Sequence, residues 1–379
     1  MDFDLTREQR KRYDDVLIAV REQLGERRVC QNSHGDREGW KAAAGIGLTG
    51  LCLPIEYGGS GLDALDTALC LEAFGRACPD TGLVFAVAAH LLACAVPIRE
   101  FASDAIRGRF LPGLATGELI AANAMTEEEA GSDIGALNMT ARRIDDEYLL
   151  DGVKSFASNA PIADLFVTYA VTDAAAGFLG VSAFVVPRDM PGVGVSAPLD
   201  KMGLHGCLAG CVRFERCRVP GIYRLGEEGS GGVIFQYSMG WERSCLFAAY
   251  VGLMDRQLQM CITRAKQRRQ FGRRIGEFQA VSHRIVTMKQ RLEGARLLLY
   301  RACWLLDQGR EHAATVALSK MAVSEAVVAN SIDAVRIFGA AGYVAGGGIE
   351  EQLRDSVPSV IFSGTNEIQC EIVAKDMGL

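Results

Sequence analysis

Between Arg256 and Arg274 the chain places seven basic residues, Arg256, Arg264, Lys266, Arg268, Arg269, Arg273 and Arg274, and no acidic one, with Gln270-Phe271-Gly272 interrupting the run. Guanidinium groups this concentrated suit an anion, and a pyrophosphate has the right size for a few of them. A solvated basic face would give the same spacing, and both readings stay open on the residues alone. A second segment, Thr126-Glu127-Glu128-Glu129-Ala130-Gly131-Ser132-Asp133, carries small and hydroxyl residues that would let backbone approach a planar ligand. Its three glutamates read as solvated. Metal chemistry has little support: the histidines at 34, 90, 205, 283 and 312 lack ligand spacing, and Cys207, Cys211 and Cys217 fall along one expected strand rather than in Cys-x-x-Cys pairs. There is no Gly-x-Ser-x-Gly elbow, no phosphate loop ending in Gly-Lys-Ser/Thr, and no Gly-x-Gly-x-x-Gly between a strand and a helix. Hydrolase, NTPase and nicotinamide readings lose their usual support.

Three kinds of segment must position these groups. Up to about residue 117, apolar residues recur at three and four over 8–24, 38–46, 64–77, 81–96 and 103–115, which predicts helices. Pro54 with Tyr57-Gly58-Gly59-Ser60-Gly61 predicts a loop, Pro79-Asp80-Thr81 a helix end and a cap, and Pro112-Gly113 the close of a region. From about 118 to 230 the pattern turns to short strands at 148–155, 165–171, 181–186 and 211–219. No helix of crossover length separates them, so a small antiparallel sheet or barrel is expected. From 231 to 379 long helices return, at 234–268, 282–306 and 311–338. Met288, Leu292, Ala295, Leu299 and Ala302 form a core stripe, and Arg284, Arg291, Arg296 and Arg301 read as its solvated back. Helices of this length joined by short loops make a bundle. The expected class is α+β, mainly α, divided at 1–117, 118–230 and 231–379.

Composition narrows the partners. The 379 residues are 49% hydrophobic and 23% charged, ordinary globular usage. Forty basic against 46 acidic residues leave a net charge of −6, so nucleic acid is not expected as a partner. Twelve scattered cysteines and a charged start predict reduced, buried thiols in a cytoplasmic protein. The most apolar stretch, 83–98, is 16 residues long, includes His90 and ends near Pro97. A bilayer span needs about 20, so the stretch reads as a buried helix and no membrane association is expected.

Four separated motifs then converge. Tyr57-Gly58-Gly59-Ser60-Gly61-Leu62-Asp63, Thr126-Glu127 with Ala130-Gly131-Ser132-Asp133, Arg268 with Gln270-Phe271-Gly272 and Gln279, and Gly364-Thr365-Asn366-Glu367-Ile368-Gln369 occur in the order seen in acyl-CoA dehydrogenases. The resemblance covers essentially the whole chain. It implies FAD, a helix, sheet, helix architecture, an electron acceptor, and a homo-oligomer, dimer or tetramer, in which one subunit's bundle reaches its neighbour's cofactor. Position by position, Met125, Thr126, Gly131 and Ser132 resemble the loop against the flavin. Phe156, Ala157 and Ser158 stand where the family usually has Trp-Ile-Thr, so the Ser158 hydroxyl can be kept for the ring while the large indole surface is lost. Arg268, Gln270, Phe271 and Gln279 resemble the stretch that holds the neighbour's pyrophosphate and adenosine. Arg336 with Gly339 and Ala340 resembles a second pyrophosphate contact, and Thr365 and Glu367 the final adenosine contacts. Substrate contacts are implied at Ser132, Arg243, Ser363 and Gly364.

Dehydrogenation beside a thioester carbonyl needs a carboxylate for the α-proton. Many family members carry it directly before Gly-Thr, where this chain has Ser363. A minority, including isovaleryl- and long-chain-type enzymes, place it instead in a Glu-Arg pair on an earlier helix, which Glu242-Arg243 resembles. Helical spacing aligns Glu242 with Met239, Cys245 and Leu246, apolar neighbours that would raise its pKa, and with the polar Ser238. The alternative is an ordinary helix carboxylate paired to a nearby arginine.

Further blocks, among them Asn159-Ala160-Pro161-Ile162-Ala163-Asp164 and Leu299-Tyr300-Arg301-Ala302-Cys303-Trp304, resemble the dehydrogenases of natural-product pathways that oxidise an acyl or aminoacyl unit on an acyl or peptidyl carrier protein. A prolyl unit, or another short unit such as a polyketide building block, is the expected substrate. A catabolic short- or branched-chain acyl-CoA dehydrogenase is the alternative within the same chemistry. A flavin oxygenase or binding subunit is the alternative outside it, and a retained base argues against that last reading.

Overall fold

The structure, a computed structural model, describes residues 4–26, 36–310 and 312–379; Cys30, His34 and Glu311 lie outside them. The first layer contains α1 (Arg7–Leu24), α2 (Arg37–Gly45), α3 (Ala64–Ala77), α4 (Thr81–Ala89), α5 (Val96–Phe101) and α6 (Asp104–Ala115). Helix starts follow side chains that satisfy otherwise orphaned N–H groups: Asp63 accepts from Asp66 N (2.8 Å) and Asp80 from Leu83 N (3.0 Å). Between α4 and α5 the segment His90–Ala95 is π-helical, so the helical run continues through Pro97 instead of ending there. A π turn shifts the hydrogen-bond ladder by one residue, and the proline, which has no N–H, follows that break directly. The continuous run Thr81–Phe101 is therefore 21 residues, long and apolar enough to cross a bilayer, which corrects the estimate of 16. Its most apolar stretch is 94% buried inside the fold. Pro112 and Gly113 likewise lie within α6 rather than closing a region, and the Thr116 N–H donates to Pro112 O (3.0 Å).

The middle layer is one eight-stranded sheet of β1 (Ala121–Ala124), β2 (Thr140–Ile144), β3 (Glu147–Ser158), β4 (Leu165–Val171), β5 (Val181–Pro187), β6 (Val193–Val195), β7 (Ala209–Pro220) and β8 (Arg224–Leu225). Its order is β6-β7-β3-β2-β4-β5-β8, with β1 also on β4. Most pairs are antiparallel as expected, but β1 and β2 both run parallel to β4 along one edge. The chain leaves that edge after Ala124, opposite Thr168, and returns at Thr140, opposite Val171. Those points are only about 10 Å apart along β4, so the residues between must loop out of the sheet. That loop is the hydroxyl-rich segment singled out above.

The third layer begins with α7 (Gly231–Trp241), a second π-helical turn Glu242–Leu246, and α8 (Phe247–Gln267). A hairpin of β9 (Arg269–Gln270) and β10 (Arg273–Arg274) leads to α9 (Gln279–Asp307) and α10 (Ala313–Phe338). The short helices α11 (Ala340–Tyr343), α12 (Ile349–Ser356) and α13 (Asn366–Asp376) complete it. The stripe Met288, Leu292, Ala295, Leu299 and Ala302 is buried as expected. Its arginine backing is not simply solvated: Arg291 donates to Asp333 on α10 (2.8 Å), Arg284 meets the same carboxylate, and Arg296 donates to Glu72 on α3 (2.9 Å). Only Arg301 of the four is exposed. Close approach joins this bundle to the first layer, because a Cβ at Gly75 would stand 2.1 Å from Ala249 O and one at Gly252 2.1 Å from Glu72 O. Of the described cysteines, Cys370 is exposed and Cys211 half-buried, so the thiols are not uniformly buried; none forms a disulfide.

Candidate active site

A cavity of about 200 Å³ opens where the three layers meet. Met125, Thr126, Gly131, Ser132, Phe156, Ser158, Glu242, Arg243, Ser363 and Gly364 all line it, so segments from four distant stretches of sequence share one wall. The loop after β1 is built around a buried ion pair. Lys154, fully inside β3, donates from Nζ to Glu127 Oε1 (2.7 Å) and to Met125 O (3.0 Å). Glu127 accepts in addition from Asn138 N (2.7 Å) and Met139 N (3.0 Å), and Ser155 N donates to Thr126 O (2.7 Å). Glu127 is therefore a structural anchor and not the solvated residue expected; Glu128 and Glu129 are exposed. Burial pushes Glu127 up, but Lys154 and the backbone donors override it and hold its carboxyl below the usual range. Burial pulls Lys154 down to about 8 against the pull of Glu127.

Phe156 follows Lys154 at a register break in the β3–β7 pairing, and its backbone takes φ +57°. The irregularity turns its ring outward into the cavity wall, 61% exposed, while Ala157 next to it faces the core.

Glu242 lies in the second π-helical turn, which changes the residues that share its face. Phe235, Gln236 and Met239 line the cavity with it. Cys245 and Leu246, expected beside it, pack in the core instead, where Cys245 Sγ donates to Ala64 O (3.4 Å). Burial raises the Glu242 carboxyl above the ordinary range, opposed by the Ser363 hydroxyl, which donates to Oε1, and by the charge of Arg243. The Arg243 guanidinium bonds backbone, its Nε donating to Ser363 O (2.8 Å). The result is a buried carboxylate in the wall of an open cavity of mixed polarity, its ionised form disfavoured by burial and favoured by Ser363 and Arg243.

The remaining candidates lie elsewhere on the single chain. Arg268, Gln270 and Phe271 occupy the exposed hairpin, with Phe271 93% exposed at φ +51°, and Gln279 opens α9. The basic run does not act as one patch. Arg256 turns into the first layer, bonding Cys78 O and Thr81 Oγ1, and Arg264 stacks on the Phe338 ring at 5.5 Å. That stack brings the ends of α8 and α10 together, so the exposed Arg336, Gly339 and Ala340 share one end of the bundle with the hairpin arginines. Thr365 caps α13 by accepting from Ile368 N (3.4 Å), and Glu367 is exposed in its first turn.

Several wall residues had no motif to announce them. Phe85, Ala89 and Ala93 form one side of the cavity. Their four-residue spacing within 81–96 was the available signal, and it is indistinguishable in sequence from a core stripe. Asn123 lies on β1, a strand too short and too rich in alanine to show alternation.

Comparison with known proteins gives a consistent result. Residues 6–118, 122–217 and 229–378 match the acyl-CoA dehydrogenase N-terminal, middle and C-terminal domains respectively. An L-prolyl-[peptidyl-carrier protein] dehydrogenase of Pseudomonas fluorescens is 54% identical over 383 residues, covering all of both chains. One of a Serratia species is 44% identical over 382 residues, covering all of this chain and 99% of the relative. A solved structure of PigA with FAD and proline superposes with a TM-score of 0.96 at 43% identity over the whole of both chains.

Proposed function

The chain belongs to the acyl-CoA dehydrogenase family and is an FAD-dependent thioester dehydrogenase; we propose that its substrate is a prolyl unit on a peptidyl carrier protein and that Glu242 takes the α-proton. The observation that carries the base assignment is Glu242 itself, a buried carboxylate in the wall of the cavity where loop, sheet and bundle meet. The substrate reading is supported by full-length identity to two enzymes named for that reaction.

The residues fit the cofactor. Asn123 Oδ1 is buried in the cavity region without a hydrogen-bond partner among the described residues, an acceptor suited to a donor from a bound group. A Cβ at Gly131 would meet nothing closer than Thr126 Cγ2 at 4.0 Å, so backbone is open to close approach there. Met125, Thr126, Gly131, Ser132, Phe156 and Ser158, which line the cavity, would hold the ring, Ala157 would contribute its backbone alone since its side chain faces the core, and Thr365 and Glu367 would hold the adenosine. When bound, FAD supplies the acceptor for the hydride that leaves the substrate. The chain's own part is acid–base and steric. The thioester carbonyl acidifies the neighbouring C–H, and Glu242 receives that proton. Phe85 and Phe362, with ring centroids 4.8 Å apart, and Met239 keep water from the carboxylate. Arg243 and the turn at Ser363 and Gly364 shape the wall that the acyl group meets.

We also infer a homo-oligomer, supported by the exposed Phe271 and the arginines Arg268 and Arg336 at the bundle end, which the single chain does not bring to its own cavity. A solution mass of one chain with full FAD occupancy would remove that inference. A cytoplasmic location is supported by the free thiols. The substrate is tested by anaerobic flavin bleaching with prolyl and short acyl groups, each on carrier protein and on CoA. Prolyl on the carrier is expected to react fastest; faster reduction by free CoA esters would overturn the assignment.

A further inference from the structure

The turn that follows Phe362 carries two consecutive residues in the left-handed region, Ser363 at φ +58° and Gly364 at φ +82°. A serine persists there only where its surroundings over-determine it. Three elements do so here. Arg243, from the π-helical turn before α8, donates through Nε to Ser363 O (2.8 Å). Gln369, from α13, donates through Nε2 to Gly364 O (3.1 Å). On α10, the buried Lys320 donates to Asn366 Oδ1 (2.7 Å), as does Ser324 (3.1 Å), fixing the start of α13 directly after the turn. A Cβ at Gly364 would lie 2.9 Å from Gln369 Nε2 and 3.2 Å from Arg243 Nη2, so a side chain there would displace the two groups that hold the turn. The backbone so held aims the Ser363 hydroxyl at Glu242 Oε1. It is the one side-chain donor to that carboxylate among the described residues.

We propose that Ser363 is the positioning residue for the base: its hydroxyl fixes the direction of the Glu242 carboxylate, leaves Oε2 for the α-proton, and favours the ionised form before the proton arrives. The proposal rests on Glu242 being the base. A hydroxyl that donates to a carboxylate bonds the anion more strongly than the neutral acid, so it works against the effect of burial and keeps the base charged at lower pH. Burial and Ser363 indeed act in opposite directions on this carboxyl. The other ionisable groups near it do not duplicate the role. Cys94, on the π-helical segment after α4, and Tyr169, on β4, are both pushed up by burial and stay neutral. Arg243 bonds the turn, and Lys320, facing Arg243 from α10, is pulled down to about 8 by burial and by that arginine. Lys320 titrates equally in the parent and in a Ser363 variant, so it cancels in the comparison.

The test measures kcat/KM against pH for FAD-loaded, full-length protein, in parent, Ser363→Ala and Ser363→Gly forms, with a prolyl-loaded carrier protein. Both variants lose the hydroxyl, and the acid limb is expected to move to higher pH in both by roughly one to two units, the size of a hydrogen bond to a charged group. The carboxylic acid C=O stretch of Glu242 in the cofactor-free protein, isolated by subtracting the Glu242→Gln infrared spectrum, should persist to correspondingly higher pH. An unshifted limb in both variants would overturn the proposal. So would a shift in Ser363→Ala that Ser363→Gly lacks, because glycine relaxes the positive φ and the effect would then belong to the backbone. Glu242→Gln is the control: full flavin reduction by that variant would sink the base assignment itself, a different outcome from an unshifted limb in the Ser363 variants.

Discussion

At Lys154 an ammonium and a carboxylate share a space closed to solvent, and the loop that borders the cavity hangs from that pair. Removing one member leaves the other buried and uncompensated, which costs about 3–5 kcal/mol in comparable settings, whereas replacing both with neutral groups of similar size is far milder. Lys154→Met is therefore expected to destabilise the fold by roughly that amount and to weaken FAD retention, because Met125 O and the Glu127 turn lose their anchor. Lys154→Met with Glu127→Gln should recover much of the stability in urea unfolding; strictly additive losses would show that the pair is not coupled. None of this was legible as function. Lys154 is one lysine in an alternating strand, Glu127 one of three adjacent acids, and only the fold shows that one acid of the three is inside. The same holds for Ser363 and Glu242. Each stood out in its own motif, but their hydrogen bond spans 121 residues of sequence.

Two helices approach the cavity through π-helical turns, one ending α4 and one carrying Glu242. Such turns rotate the following side chains by about one position, and they leave no mark in the spacing of apolar residues. Helical periodicity thus located both helices and the Met239 that lines the cavity with Glu242, but not the core placement of Cys245 and Leu246. The first π turn also holds His90, whose Nδ1 accepts from Ala121 N (3.0 Å) and whose Nε2 meets Leu114 O (3.1 Å), tying the first layer to the sheet. Burial pushes this imidazole down from 6.5 to about 4, although the Leu114 bond opposes the shift. An unfolded histidine binds a proton below pH 6.5 while His90 stays neutral to about 4, so the unfolded state gains protons first and stability falls as pH drops through that interval. The expected slope from this residue is about 1.4 kcal/mol per pH unit. Urea unfolding of parent and His90→Gln between pH 7 and 5 checks it, since glutamine keeps a donor and an acceptor but does not titrate. Equal slopes would remove His90 as the source.

At the scale of the molecule, the division into helices, sheet and bundle was readable because each segment has a long, regular pattern. What was not readable is where the layers touch. β1 and β2 pair in parallel with β4 across a long loop, and helices α12 and α13 are separated by turns that break the periodicity. Two of the four motifs, the loop from Thr126 and the turn at Gly364, lie in the wall of the cavity, and Phe85, Ala89 and Ala93 complete it from a helix whose residues look like ordinary core. The exposed hairpin around Phe271 lies away from the cavity of its own chain, which is what the proposed homo-oligomer would account for. One buried carboxylate, Glu242, is proposed to take the α-proton of a carrier-bound prolyl thioester. The most direct test of that role is anaerobic flavin reduction by prolyl-loaded carrier protein in the parent enzyme and in Glu242→Gln, each with its FAD content first measured. The expected result is equal FAD content, rapid bleaching in the parent and none in the variant on the same timescale; undiminished bleaching in the variant would show that Glu242 is not the base.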